Sequence, residues 1–264
     1  MLCSLGDLLL DVVVSSLNPG SWAHGSDTAA MTRVRAGGQA ANVAAWAVAL
    51  GGQARVVAQR AGDLAGDLVA ADLVKRGVQV AGPVGAGATG VVVSISEPGG
   101  ERTMLTDRGV CPDLPAGELR DDWFDDCDWL HLPVYSLVGA PIRAAALAAA
   151  QRVRRVSVDL SSVSVLREIG AAELGRLLGL LAPEVIFGNE PECALAGLPE
   201  GTTVVMKLGA AGVRVNGKTW PARPARPVDS TGAGDAFAAG FLLGGIELGL
   251  EAAARAVSQL GAMP

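Results

Sequence analysis

The sequence predicts a three-layer α/β domain built on a mostly parallel sheet, and three observations carry that expectation. Short β-branched apolar runs alternate with Ala-rich segments of helical length through much of the 264 residues, the order in which strand–helix–strand units are laid down. Half of the residues are hydrophobic and only 18% are charged, enough apolar material for one large core. The 35 glycines exceed a typical share, as expected where many strand–helix turns must be tight.

Taken in order, residues 8–14 (LLLDVVV) read as a buried strand carrying one acid, Asp11. Residues 15–35 are polar and too long for a plain connection, so short strands are expected there. Gly37 and Gly38 open an Ala-rich helix over residues 40–50, which Gly51 and Gly52 stop, and residues 54–58 form the next strand. A second helix over residues 66–76 ends at Gly77 as its cap. Residues 91–96 and 102–106 look like two strands joined by a hairpin-type turn. With residues 15–35 they would make a small second sheet, whose polar faces suit a cover rather than a core.

The remainder alternates. Strands are expected at 129–132, 155–159, 184–187 and 203–207, and helices at 141–151 and 171–181, with a short helix near Pro191. A hairpin begins at residues 213–215, residues 221–227 form an extended connection, and a helix runs over residues 236–243. All of this is one domain over residues 1–264, with its cover formed by about 15–35 and 91–106.

Composition removes several classes of function. The formal charge is −6 and no Lys/Arg block exceeds Arg154-Arg155, which argues against binding nucleic acid or an anionic membrane. The four cysteines (Cys3, Cys111, Cys127, Cys193) are scattered and only two histidines occur, so neither a zinc site nor a disulfide scaffold is expected and a reducing cytoplasm is the plain reading. The first apolar run carries Asp7 and Asp11 without a basic leader, unlike a signal peptide. No apolar stretch has the character of a membrane helix.

The segment Val228-Asp229-Ser230-Thr231-Gly232-Ala233-Gly234-Asp235-Ala236-Phe237 is the most informative. An extended approach breaks at two glycines and enters an apolar helix, so free backbone N–H groups at the helix start can hold an anion. Asp235 sits in that first turn, beside the expected anion. Two readings stay open on these residues alone: a carboxylate aimed at a substrate hydroxyl, or a tight helix entry whose acid favours the helix dipole. Phe237 stands where a dinucleotide fingerprint needs its third glycine, and no Gly-Lys-Ser/Thr of a P-loop occurs.

That segment resembles the C-terminal signature of the ribokinase-like (PfkB) family of sugar and nucleoside kinases. Gly37-Gly38-Gln39-Ala40-Ala41-Asn42-Val43-Ala44 resembles its N-terminal signature, Asn189-Glu190-Pro191-Glu192 its middle motif, and Lys207-Leu208-Gly209-Ala210-Ala211-Gly212 its nucleotide-side glycine turn. The four occur in the family's order and cover nearly the whole chain. The resemblance implies a three-layer Rossmann-like ribokinase-type domain with a small β-sheet lid, transferring phosphate from ATP to a hydroxymethyl group of a monosaccharide or sugar acid. It assigns Asp235 as catalytic base and Gly232, Ala233 and Gly234 as the anion hole. Asp11, which by its residues alone is equally a sheet-edge acid, matches a sugar-binding acid. Gly37, Gly38 and Asn42 match the same pocket, Gly38 because close approach of the sugar leaves no room for a Cβ. Asn189, Lys207, Gly209 and Gly212 match the nucleotide side. Asn189 and Glu192 would organise Mg2+ largely through water, and Asp229 and Thr231 match positions near a monovalent-cation site, so K+ is an accessory candidate.

Asp235 is expected to be ionised at a helix start, near the ordinary value of about 3.9. Arg102 and Arg108 are candidates for gripping an anionic sugar, and His24, Asp27, Thr28 and Arg33 join the polar set around it. Trp22 and Trp46 are the aromatic candidates for a nucleoside base, which leaves a nucleoside kinase as the alternative. The stretch between the Asp235 helix and the terminal segment is shorter than the family's pattern, so an impaired sugar- or nucleotide-binding protein is a further alternative. The outer face of the lid would allow a homodimer.

Overall fold

A computed structural model of the chain describes residues 1–16, 25–96 and 102–264. Its strands are β1 (Leu2–Leu5), β2 (Leu9–Ser16), β3 (Ala30–Gly37), β4 (Ala54–Val57), β5 (Arg60–Ala61), β6 (Gln79–Ala81), β7 (Val84–Gly85), β8 (Thr89–Ser96) and β9 (Arg102–Gly109). They continue as β10 (Trp129–Pro133), β11 (Val156–Asp159), β12 (Val185–Asn189), β13 (Thr203–Lys207), β14 (Val213–Val215) and β15 (Lys218–Trp220). The helices are α1 (Gln39–Ala49), α2 (Leu64–Lys75), α3 (Ala140–Ala150), α4 (Val163–Ile169), α5 (Ala171–Leu181), α6 (Glu190–Leu195), α7 (Ala233–Gly244) and α8 (Ile246–Val257).

The main sheet has nine strands in the order β15-β14-β13-β12-β11-β10-β1-β4-β6. From β13 to β6 every pairing is parallel, and the β14–β15 hairpin closes one edge antiparallel. One core joins the sheet to α1, α2, α7 and α8 through Trp46, Leu73, Phe237 and Leu250. The other joins it to α3 and α5 through Ile142, Ala145, Leu174 and Leu177. These are the three expected layers. β1 has β4 on one side and β10 on the other, so the direction of strand addition reverses there, where doubly wound sheets open a crevice at their carboxyl ends.

Two expectations are corrected here. The run at residues 8–14 is not a strand of the main layer. The strand of the main sheet at this end of the chain is β1, four buried residues of sequence LCSL lying between β10 and β4, and β2 leaves it through Gly6-Asp7 into a second sheet of order β3-β2-β8-β9. A run of β-branched residues marks a strand but not which sheet takes it, and a four-residue strand holding Ser and Cys is too short to stand out. The faces of this second sheet are also mixed rather than polar: Met31, Val34, Met104 and Leu105 are all more than half exposed, beside exposed Thr32, Arg33, Thr103 and Thr106. The expected turn at residues 97–101, and Trp22 and His24, lie outside the described residues. No helix among the described residues is long and apolar enough to cross a membrane.

Candidate active site

At the start of α7, Gly232 is the N-cap with φ 74°, and no side chain caps the helix. Glycine is required there twice over, because that backbone is left-handed and a Cβ would overlap the carbonyl oxygen of Ala262. Of the first-turn amides, Ala233 N–H turns back to the Ser230 carbonyl (3.3 Å) and Ala236 N–H bonds the Gly232 carbonyl (2.8 Å). Gly234 and Asp235 are therefore the donors this turn offers a ligand, and Ala233 is less available than expected.

Asp235 does not keep an ordinary carboxyl. Burial pushes its pKa up to about 7, and the Asp159 charge adds to the rise. Hydrogen bonds from Asn42 and Gln39 and the charge of Lys207 work the other way. The expected effect of the helix start is outweighed by removal from water. Asn42, buried in α1, donates from Nδ2 to Asp235 Oδ2 at 2.8 Å, so it orients the acid directly, and its own Oδ1 is buried with no partner among the described residues.

Asp11 and Arg35 stand opposite each other across β2 and β3. Burial lifts the Asp11 pKa to about 6, with Arg35 holding it lower than burial alone would. Its carboxyl occupies the space a Gly37 side chain would take, which explains that glycine. Gly38 (φ 90°) is explained differently from the expectation: a Cβ there would overlap the backbone carbonyl of Asp7, so the chain itself, rather than a ligand, excludes the side chain. Arg108 is committed to Asp7 through two bonds of 2.8 Å and also donates to the Tyr135 carbonyl at 2.9 Å. Of Arg102 only the backbone, opening β9, is among the described residues.

At the carboxyl ends of β11 and β13, Lys207 Nζ lies 3.0 and 2.9 Å from the two oxygens of Asp159. A Cβ on Gly234 would sit 3.3 Å from that ammonium, so Lys207 abuts the α7 turn. Burial opposes its charge, but Asp159 more than compensates and its pKa is raised. Gly209 (φ 59°) and Gly212 (φ 97°) shape the turn that follows β13. Asn189 and Glu192 form a capping box at α6: Glu192 N–H donates to Asn189 Oδ1, while Asn189 N and Nδ2 each donate to a Glu192 oxygen, all at 2.8–2.9 Å. Asp229 accepts from Thr231 N (2.6 Å) and Gly261 N (2.9 Å), tying the terminal segment behind the turn, and Thr231 Oγ1 is buried without a partner.

The structure thus gathers Asp235, Asn42, Gly232, Gly234 and Lys207 at one turn, and sets Asp11 with Gly37 and Arg35 on the second sheet. Gln39, Asp159 and Arg35 were not singled out as site residues by sequence. Gln39 lies in the N-terminal glycine motif, where its identity bears on the choice of sugar, whereas Asp159 and Arg35 carry no local signal. Among the described residues no group of three or more His, Cys, Asp or Glu could hold a metal. With its oxygens already bonded to Asn189, buried Glu192 suits the water shell of a hydrated cation rather than an inner coordination sphere.

A family model described as "pfkB family carbohydrate kinase" matches residues 1–263. An ATP-dependent ribose-1-phosphate kinase of Halopiger xanaduensis is 32% identical over 237 residues, spanning 83% of this chain and 76% of that protein. A fructokinase of Klebsiella pneumoniae is 30% identical over 240 residues, spanning 79% and 76%. The fold matches the crystal structure of adenosine kinase from Sinorhizobium meliloti with a TM-score of 0.83 at 22% identity, covering 100% of this chain and 95% of that one.

Proposed function

The chain belongs to the pfkB family of carbohydrate kinases, and from that premise we propose that it transfers the γ-phosphoryl group of ATP to a hydroxymethyl group of a monosaccharide or sugar acid, with Asp235 as base. One observation supports this above the others: a carboxylate whose pKa is about 7 stands in the first turn of a helix with no side-chain cap, beside a lysine. Donors for a phosphoryl group and an acceptor for a hydroxyl proton share one turn.

In the reaction the substrate hydroxyl oxygen bonds to the γ-phosphorus as the bond from that phosphorus to the bridging oxygen breaks. ADP leaves with the electron pair and the hydroxyl proton passes to Asp235. The transition state is loose, so the proton is needed late, and a base with a pKa near the working pH is well matched to receive it. Asn42 and Gln39 fix the carboxylate's orientation, which matters as much as its basicity. The Gly234 and Asp235 amides would donate to the charge that develops on the transferred group. Asp11 would accept from sugar hydroxyls, and the unpartnered Oδ1 of Asn42 is an acceptor that a further hydroxyl can satisfy. Asn189 and Glu192 would hold the waters of Mg2+, which when bound neutralises phosphate charge. The second sheet would act as a lid that keeps water from competing for the phosphoryl group.

A second reading, an acceptor that is itself a sugar phosphate, is favoured by the activity named for the Halopiger relative. A panel of sugars, sugar acids, sugar phosphates and nucleosides assayed for ADP release with Mg-ATP tests both. A phosphomonoester on a primary carbon is the expected product. Nucleosides as the best acceptors, or no acceptor dependence at all, would overturn the proposal.

A further inference from the structure

We propose that Asp159 is a positioning residue for phosphoryl transfer, its buried carboxylate pinning the Lys207 ammonium against the Gly234 end of the turn so that Lys207 contacts the phosphoryl group in flight. The inference rests on the kinase reading above and adds to it a charge clamp formed by these two residues.

Asp159 ends β11 and is fully buried (0% exposed). A carboxylate so placed needs partners, and it has them. Lys207 Nζ bonds both oxygens, and Ser161, whose φ of 56° is left-handed, turns its N–H onto Oδ1 at 2.9 Å. Lys207 ends β13 and reaches past β12 to make this pair. Asp159 is out of reach of a ligand, whereas the Lys207 side chain remains 22% exposed. An ammonium has three donors, and two point at Asp159, which leaves one for a ligand.

Two features distinguish this pair from a merely structural one. A cation beside a helix N-terminus faces the positive end of the helix dipole, an unfavourable placement unless an anion lies between them. Lys207 is so placed against α7, where the carboxylates of Asp159 and Asp235 offset the dipole and a phosphoryl group would add to that negative charge. Second, Gly234 is not in the left-handed region, so its backbone does not call for glycine. What a side chain would meet there is the ammonium itself: a Cβ would sit 3.3 Å from it, a tight contact that Lys207 would have to ease by a few tenths of an ångström. The missing side chain leaves the ammonium room to move toward a phosphoryl group held by the turn.

The test is calorimetric and needs no knowledge of the sugar. Affinity for Mg-ADP alone and for Mg-ADP with aluminium fluoride, a mimic of the phosphoryl group in transfer, is measured for wild type, Asp159→Asn, Lys207→Met and the double variant. The fluoride-dependent gain in affinity should fall roughly tenfold or more in Lys207→Met, because a charge-assisted contact to the transferred group is lost. Affinity for Mg-ADP alone, measured in the same variant, is the reference against which that gain is taken. Asp159→Asn should lose a smaller part of the gain, and the double variant should match Lys207→Met, since Asp159 acts only through the lysine. An undiminished gain in Lys207→Met, or a further loss when Asp159→Asn is added to it, would overturn the clamp. If Asp159→Asn does not fold, methylammonium with Lys207→Ala decides: restored gain supports the clamp and none contradicts it. Wild type showing no fluoride-dependent gain would instead count against the kinase reading itself.

Discussion

Asp235 and Asp11 are both carboxylates drawn partly out of water, and their surroundings separate them. Asp235 loses most to burial and is left near neutrality, while Arg35 keeps Asp11 lower. Asp235→Asn should cost about 10³-fold in kcat, since base and hydroxyl orientation go together. The same change should raise stability above neutral pH. The folded pKa of about 7 lies above the unfolded value, so the fold prefers the protonated acid. The cost of ionising it is absent below about pH 4 and complete above about pH 7. Thermal melts should therefore show Asp235→Asn gaining on the order of 4 kcal/mol over wild type at pH 8 and little at pH 4. A difference independent of pH would mean the carboxylate is not perturbed. Asp11→Asn keeps volume but turns part of a charged acceptor into a donor, and should cost about 2–4 kcal/mol in kcat/KM for the best sugar. Unchanged kcat/KM would reduce Asp11 to a strand residue.

Within the α7 turn the two glycines make separable predictions. Gly232→Ala forces a left-handed alanine into the Ala262 carbonyl and should lower stability by about 1–3 kcal/mol. Gly234→Ala has ordinary backbone and should melt close to wild type while turnover drops, because the new methyl crowds Lys207. Equal melting losses in both would contradict this division. This element was legible in sequence because its signal is local: two glycines, an acid and an apolar run within ten residues. The same holds for the α6 capping box and for the start of α1. The Lys207–Asp159 pair was not legible. Its members lie 48 positions apart and meet only once β12 is known to lie between their strands. The rise of the Asp235 pKa is not legible for a related reason: the helix start is written in the sequence, while α1 packed against it and the charge of Asp159 come from distant segments.

Across the whole molecule, the motif-based expectation of a three-layer domain with a second sheet agrees with the observed architecture, and the family match extends over residues 1–263. What the alternating pattern could not assign was which sheet takes residues 8–14, because β1 and β2 are both apolar and separated only by a short turn. That reassignment makes β2 a central strand of the second sheet, where Val34, Val12, Val93 and Leu105 form one cross-strand row. Val34 and Leu105 are 52% and 58% exposed, an apolar face of the sort that pairs. The proposed homodimer through this face should appear in sedimentation velocity and be lost in Leu105→Asp. A monomeric wild type would contradict it.

The central claim, that Asp235 receives the proton of the hydroxyl being phosphorylated, is tested most directly by kcat/KM against pH. The measurement compares wild type with Asp235→Asn, using the best acceptor from the panel. The account predicts a wild-type rate that rises with pH through about 7, where Asp235 ionises, and a variant about 10³-fold slower at pH 8 in which that rise is gone. A flat wild-type profile from acid to neutral pH, or a variant turning over at close to the wild-type rate, would contradict it.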